Sequence, residues 1–307
     1  MSFSHIVKDE ICGFFASSSA DQYILLGIAL IVNGRFHNQQ IAFSTAQQSF
    51  AEILINTYET DLGVSCDVSS GKEQTTLKVA DPRDYGVTLR FLKEEFDFDL
   101  SVGRLGENWI AGADRTDGHG KFSHAARVAQ AAFLAGGSVA DPNKAYHLEL
   151  SIRRIEVAVQ LQSLLDTFGI QMTLLRRYGY NVLYLKEGES LSDFLALTGA
   201  HISLLNFENM RMEKDLRNSV NRVVNCDTAN LRRIADAAVR QLMMLRKLRE
   251  HEVWSTLPQE LRDAAQMRLD NPDCSLREMG EMMNPPLGKS GMNHRLKRLE
   301  EIATKLN

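Results

Sequence analysis

Cysteine is scarce in this chain. The 307 residues hold four, Cys12, Cys66, Cys226 and Cys274, and no two form a CxxC pair. That spacing excludes a zinc ribbon and fits a reduced cytoplasm. Long hydrophobic runs are missing too. The longest, Tyr23–Val32, is too short to span a bilayer. The amino terminus, MSFSHIVKDEICGFF, carries acids and has no cleavable signal pattern. These absences place the protein in the cytoplasm, without a membrane partner. A basic excess is also lacking. Lys and Arg number 35 against 39 Asp and Glu, a formal net charge of −4. Any affinity for nucleic acid must therefore come from a local patch. What remains is a globular composition, 44% hydrophobic and 24% charged, long enough for two or three domains.

Catalytic motifs are equally absent. Gly288-Lys289-Ser290 looks like the tail of a phosphate-binding loop, but the first glycine of that motif would fall on Met283. Gly118-His119-Gly120 follows no strand, so it is no dinucleotide fingerprint. His147-x-Glu149 lacks the i, i+4 histidine pair of a zinc protease helix. His119 and His124 lie in a loose segment and are expected to face solvent. No G-x-S-x-G elbow occurs. Spacing alone assembles no catalytic, metal or cofactor site.

The informative stretch is SLREMGEMMNPPLGKSGMNHRLKRL, residues 275–299. Ser275-x-x-Glu278 is a capping box. Leu276, Met279, Gly280 and Met283 recur at i, i+3, i+4 and i+7, one buried helical face. Asn284-Pro285-Pro286 must stop that helix. Ser290 is read as the cap of a second one. Its core stripe is Met292, Leu296, Leu299, Ala303 and Leu306. The opposite side carries Ser290, His294, Lys297 and Arg298, flanked by Asn293 and Arg295. Lys289 to Leu299 holds four Lys or Arg residues and no acid. This is a helix-turn-helix pattern whose second helix suits the major groove. Ser290, Asn293, His294 and Lys297 are the candidate base readers. Lys289, Arg295 and Arg298 are the candidate phosphate contacts. The connection from Asn284 to Lys289 is longer than the usual three- or four-residue turn.

Earlier in the chain a unit repeats. A short helix over residues 4–16 turns Ile6, Ile11 and Phe14 or Phe15 inward. Asp21 caps a second helix through Val32. Asn33-Gly34 signals a turn, and Arg35–His37 with Gln40–Ser44 reads as a hairpin. A helix over Gln47–Leu62 ends at Gly63, and strands follow near Val64–Ser69 and Thr75–Val79. About a hundred residues later the order returns. A helix over Ala125–Leu134 reaches Gly136-Gly137, a strand covers Tyr146–Ile152, and a helix over Glu156–Phe168 ends at Gly169. A hairpin follows around Gly179-Tyr180, with strands Leu174–Tyr178 and Asn181–Lys186. Gly63 and Gly169 match at an offset of 106. The expected boundaries are 1–85 for the first repeat, 86–122 for an irregular insertion, 123–215 for the second repeat and 216–307 for a helical arm and DNA-binding domain. Asp81–Lys121 reads as irregular. Leu191–Leu197 reads as a short helix, and another runs from Pro258 to Leu269.

No Gly or Pro occurs from Ala200 to Leu257, so this is a helical arm. Asn225-Cys226-Asp227 is expected to mark a cap between two helices, with Asp227 as N-cap. The second would bury Leu231, Ile234, Ala238, Leu242 and Leu245. Residues 211–250 hold ten basic and five acidic side chains. A solvated surface is one reading of that bias. The other is that Arg222, Arg232, Arg233 and Arg240 hold phosphates.

Several stretches carry a family resemblance: AAFLAGGSV at 131–139, YHLELS at 146–151, LRNSVNRVVNCDTANLRR at 216–233, and KSGMNHRLKRLEEIA at 289–303. The duplicated unit resembles the LAGLIDADG homing-endonuclease fold. With its C-terminal helices, the chain resembles the WhiA family of bacterial transcription regulators. The resemblance implies an α+β N-terminal domain of two LAGLIDADG-like helix–sheet units and an all-α helix-turn-helix domain. It implies sequence-specific binding to double-stranded promoter DNA, a nucleoid location and a role in cell division, chromosome segregation or sporulation. It also implies that a WhiB-type iron–sulfur regulator, or another transcription protein, can be a partner. In a homing endonuclease each motif helix ends in an acid that holds divalent metal. Here those positions carry Asn33 and Gly136, so no nuclease activity is expected. The rival reading is a scaffold that binds a protein or small molecule through its N-terminal domain.

Overall fold

The computed structural model describes residues 2–15, 19–107, 109 and 124–306. The chain divides into two compact units, 1–215 and 216–307. The first is built on the repeat. Its elements in order are α1 (Phe3–Phe15), α2 (Ser19–Asn33), β1 (Arg35–His37), β2 (Gln40–Thr45), α3 (Gln48–Asn56), β3 (Asp67–Ser70), β4 (Thr75–Val79) and α4 (Pro82–Phe96). Then come α5 (His124–Gly136), β5 (Gly137–Val139), β6 (Leu148–Ile152), α6 (Ile155–Asp166), β7 (Thr173–Arg177), β8 (Tyr180–Leu185) and α7 (Gly188–Leu197). The two sheets are antiparallel, with orders β1-β2-β4-β3 and β5-β6-β8-β7. The same strand order in both halves is the structural form of the duplication.

Helices α2 and α5 pack together at the centre. A helix that is apolar all round must be buried all round. Residues 25, 26 and 28–32 of α2 are at most 1% exposed, and Ala125–Ala135 of α5 are all buried. Arg127 lies inside α5, where it pairs with Asp21 at 2.9 Å, and Gln130 donates to the Thr198 carbonyl at 2.9 Å. Asp21 is therefore an ion-pair partner in the first turn of α2, not its cap. Burying two charges is tolerable only because they are paired.

Local chemistry explains several departures from the sequence reading. The turn signal at Asn33-Gly34 falls where α2 ends, and the Gly34 amide donates to the Leu30 carbonyl at 2.8 Å. The hairpin that follows turns at Asn38-Gln39, both left-handed at φ 48° and 58°. The matching turn in the second repeat is Tyr178-Gly179, one residue earlier than expected, with φ 49° and 80°. Ile6 is 40% exposed; α1 buries Val7, Ile11, Cys12 and Phe15 instead. The region read as irregular from Asp81 contains α4. Asp81 accepts from the Arg83 and Asp84 amides, and Pro82 opens the helix. His124 begins α5 and its ring lies 4.4 Å from that of Trp109, so it is not in a loose segment. His119 and Gly118–Gly120 lie outside the described residues.

The α-helix α8 (His201–Glu250) crosses the boundary between the units without a break. The expected cap at Asp227 does not form. Asn, Cys and Asp each disfavour helix by only about 0.7 kcal/mol, too little to stop cooperative propagation where no Gly or Pro interrupts. The C-terminal unit then adds a short 3₁₀ turn (Glu252–Thr256), α9 (Gln259–Asp270), α10 (Leu276–Met282) and α11 (Lys289–Thr304). Its core gathers Leu245, Leu248, Leu261, Ala264, Met279, Met292, Leu296 and Leu299. The stripe predicted on α8 is buried only at Ala238 and Leu245; Leu231 and Ile234 are 68% and 52% exposed. On α11 the stripe holds through Leu299, while Leu306 is 38% exposed.

Candidate nucleic-acid interface

The capping box is present. Ser275 Oγ accepts from the Glu278 amide at 3.3 Å, and the Glu278 carboxylate accepts from the Ser275 amide at 2.7 Å. The Ser275 amide, with the Ser275 hydroxyl beside it, holds the Glu278 carboxyl below its ordinary pKa. Arg268 anchors the loop before this helix. It is 2% exposed, donates to Gln241 Oε1 at 3.0 Å and to the Cys274 carbonyl at 2.6 Å, and burial lowers its pKa.

Gly280 fixes where the next helix starts. A Cβ there would stand 2.3 Å from the Leu287 carbonyl oxygen. The Leu287 amide donates to the Gly280 carbonyl at 2.8 Å. The long connection is thus folded back onto α10, with Met283 buried at its base. Gly288 is the N-cap of α11, so Ser290 stands in the first turn and caps nothing.

Met292, Leu296 and Leu299 are at most 1% exposed and lock one face of α11 into the core. Lys289, Ser290, His294, Lys297 and Arg298 are all exposed, and Asn293 is half-buried at their edge. The structure therefore gathers these six predicted residues along one side of a single helix. Arg295 stands on the shoulder, where its guanidinium lies 3.6 Å from the Glu260 carboxylate of α9. Arg222, Arg232, Arg233 and Arg240 are exposed on α8.

In the N-terminal unit, Asn33 and Gly136 stand at the C-terminal ends of α2 and α5. Asn33 Nδ2 donates to the Ala135 carbonyl at 2.9 Å. A Cβ on Gly136 would meet the Ser151 carbonyl oxygen at 2.2 Å and Asn33 Nδ2 at 2.6 Å. Cations close both ends. Arg153 Nε donates to the Asn33 carbonyl at 3.0 Å, Arg154 to Ile31 at 2.9 Å, and Lys8 to Leu134 at 3.2 Å. Positive groups at helix C-termini are favourable. Burial lowers the Lys8 pKa to about 8, and burial with the Arg153 charge lowers that of Arg154. Among the described residues, no group of three or more His, Cys, Asp or Glu side chains could hold a metal ion. These closing cations come from elements distant in sequence, and nothing in local spacing announces them. Gly280 was visible only as a glycine inside an apolar stripe.

A duplicated LAGLIDADG-like scaffold followed by a helix-turn-helix domain defines the class of this protein. The WhiA LAGLIDADG-like domain matches residues 125–217, and the WhiA C-terminal HTH domain matches residues 220–303. The chain is 38% identical over 315 residues to the probable cell division protein WhiA of Ruminiclostridium cellulolyticum, covering 100% of this chain and 98% of that one. It is 35% identical over 322 residues to the protein of the same name from Clostridium tetani, again covering 100% and 98%. The crystal structure of full-length DUF199/WhiA from Thermotoga maritima covers 99% of both chains at 25% identity, with a TM-score of 0.56. The chain belongs to the WhiA family. No described helix is long and apolar enough to cross a membrane.

Proposed function

We propose that the protein is a sequence-specific regulator that binds promoter DNA, acting on genes of cell division, chromosome segregation or sporulation, with no enzymatic activity of its own. One observation carries this reading. The exposed side of α11 carries no acid from Lys289 to Arg298, and it is held by a buried opposite side and by the Gly280–Leu287 contact. Ser290, Asn293, His294 and Lys297 reach base edges in the major groove, where Asn and Lys have defined hydrogen-bond partners. Lys289 and Arg298 take phosphates, and Arg295 does so in competition with Glu260. Arg222, Arg232, Arg233 and Arg240 add phosphate contacts from α8. The protein acts at the nucleoid, with a WhiB-type iron–sulfur regulator or another transcription protein as partner.

The N-terminal unit is a scaffold in this reading. Asn33 and Gly136 supply no carboxylate, and the Cβ contacts at Gly136 leave no room for one. A rival use of this unit, binding a small molecule or protein, is favoured by one feature. A cleft of about 520 Å³ opens between α2 and α4, lined by Tyr23, Ile24, Phe91, Phe96 and Trp109. A melting shift on adding a ligand, with DNA affinity unchanged, would support that use.

The direct test is fluorescence anisotropy of the full chain on mixed-sequence duplex DNA over a salt series. Each lost phosphate contact should flatten the slope of log K against log salt by about 0.9. Lys297→Ala with Arg298→Ala should weaken binding and flatten the slope by about that amount. Unchanged binding by the double variant would move the site away from α11.

A further inference from the structure

Residues 216–236 of α8 are exposed without exception. An ordinary solvated helix is rich in Glu, Lys and Gln. This segment, LRNSVNRVVNCDTANLRRIAD, has none of the three. It has four asparagines instead, which are poor helix formers because their side chains compete for backbone hydrogen bonds. Asn218, Asn221 and Asn225 make no side-chain hydrogen bond or ion pair within the protein among the described residues. The sequence therefore places weak helix formers in mid-helix with no structural return.

Their placement is regular. At about 100° per residue, the three asparagines fall within roughly 60° of arc. Arg217, Arg222, Thr228 and Arg232 lie on the same side. Asp227 falls on the opposite side, beside Val220, Val223, Val224, Leu231 and Ile234, each 52–68% exposed. The Asn/Arg side is free of acids until Asp236. From Arg217 to Arg232 it runs about 22 Å, at about 1.5 Å per residue. A bare helix of that width and length fits a major groove about 12 Å wide.

We propose that this segment is a second DNA-reading element, in which Asn218, Asn221 and Asn225 take base edges and Arg222 and Arg232 flank them. The proposal rests on the reading of the protein as a DNA-binding regulator and deepens it. Asn side chains donate to and accept from the N7/N6 edge of adenine, so the segment would favour adenine-containing steps. The opposite apolar side remains open to a protein without disturbing the reading side.

The test is selection from a randomised duplex pool by the full chain, comparing wild type, Lys297→Ala/Arg298→Ala, and the triple variant Asn218→Ala/Asn221→Ala/Asn225→Ala. Alanine favours helix more than asparagine does, so the triple variant should melt no lower than wild type. Wild type should enrich a motif with two separable parts. The triple variant should lose preference in one part, bind the wild-type motif at least about tenfold more weakly, and keep its salt slope. A triple variant that selects the same motif with the same affinity overturns the proposal and leaves the regulator reading standing. A flattened salt slope with an unchanged motif also overturns it, since that marks phosphate contact alone. A wild-type chain that enriches no motif overturns the regulator reading itself.

Discussion

Replacing Gly280 with Ala should loosen the reading helix from its base. The new Cβ would lie 2.3 Å from a backbone oxygen, that of Leu287, instead of a flexible side-chain tip. The connection must lift by most of an ångström, which threatens the 2.8 Å bond from the Leu287 amide. Overpacking of this kind costs about 1–3 kcal/mol, and the weakened hydrogen bond adds about 1 kcal/mol. Alanine returns roughly 0.5–1 kcal/mol of helix propensity. The net expectation is about 1–3 kcal/mol. For a unit of this size each kcal/mol moves the midpoint by about 4–8 °C, so the transition of the C-terminal unit should fall by about 4–24 °C. The assay is calorimetry of the full chain, with DNA affinity measured below the transition. Affinity should fall as well, because α11 loses its fixed start. An unaltered transition together with wild-type affinity would refute the claim that this contact positions the helix.

Other outcomes follow from the same geometry. Arg268→Met leaves Gln241 and the Cys274 carbonyl without their donor and should cost roughly 1–3 kcal/mol; a neutral result in urea unfolding would show that the bonds are dispensable. Asn33→Asp removes the donor to the Ala135 carbonyl and should destabilise by roughly 1–3 kcal/mol at neutral pH, less in acid where a protonated Asp can donate. It should gain no Mg²⁺-dependent cleavage of plasmid DNA, and any cleavage would reopen the nuclease reading. Lys8 has a folded pKa of about 8 against 10.5 when free. The unfolded chain therefore binds more protons between those values, and stability due to this group rises from pH 8 to 10.5. Relative to Lys8→Met, the wild type should gain up to about 3 kcal/mol across that window; parallel stability curves would contradict the burial of this charge.

The duplication and the helix-turn-helix were legible because both rest on local signals. Gly63, after the π turn Thr57–Asp61 that continues α3, and Gly169, after α6, both take left-handed backbone, and Ser275 with Glu278 forms its cap within four residues. Helix α4 was missed: Asp81-Pro82 marks its start, but the Asp- and Gly-rich sequence after it obscured the signal. The continuity of α8 was hidden for a physical reason. Its asparagines, cysteine and aspartate read as a break, yet none is strong enough to end a helix that neighbouring residues propagate. Such a conflict between local preference and observed structure is expected where function sets the residues. The cations at the ends of α2 and α5 could not be read at all. Arg153 lies 120 residues from the carbonyl of Asn33, and Lys8 lies 126 from that of Leu134.

Contact between α11 and the bases can be read by photocrosslinking from single sites in the full chain. A benzophenone side chain placed at His294 should crosslink to duplex DNA, whereas one at Leu175, exposed on the second sheet, should not. Crosslinks from Leu175 with none from His294 would mean that the sheets of the N-terminal unit grip the DNA, contrary to the role assigned to α11.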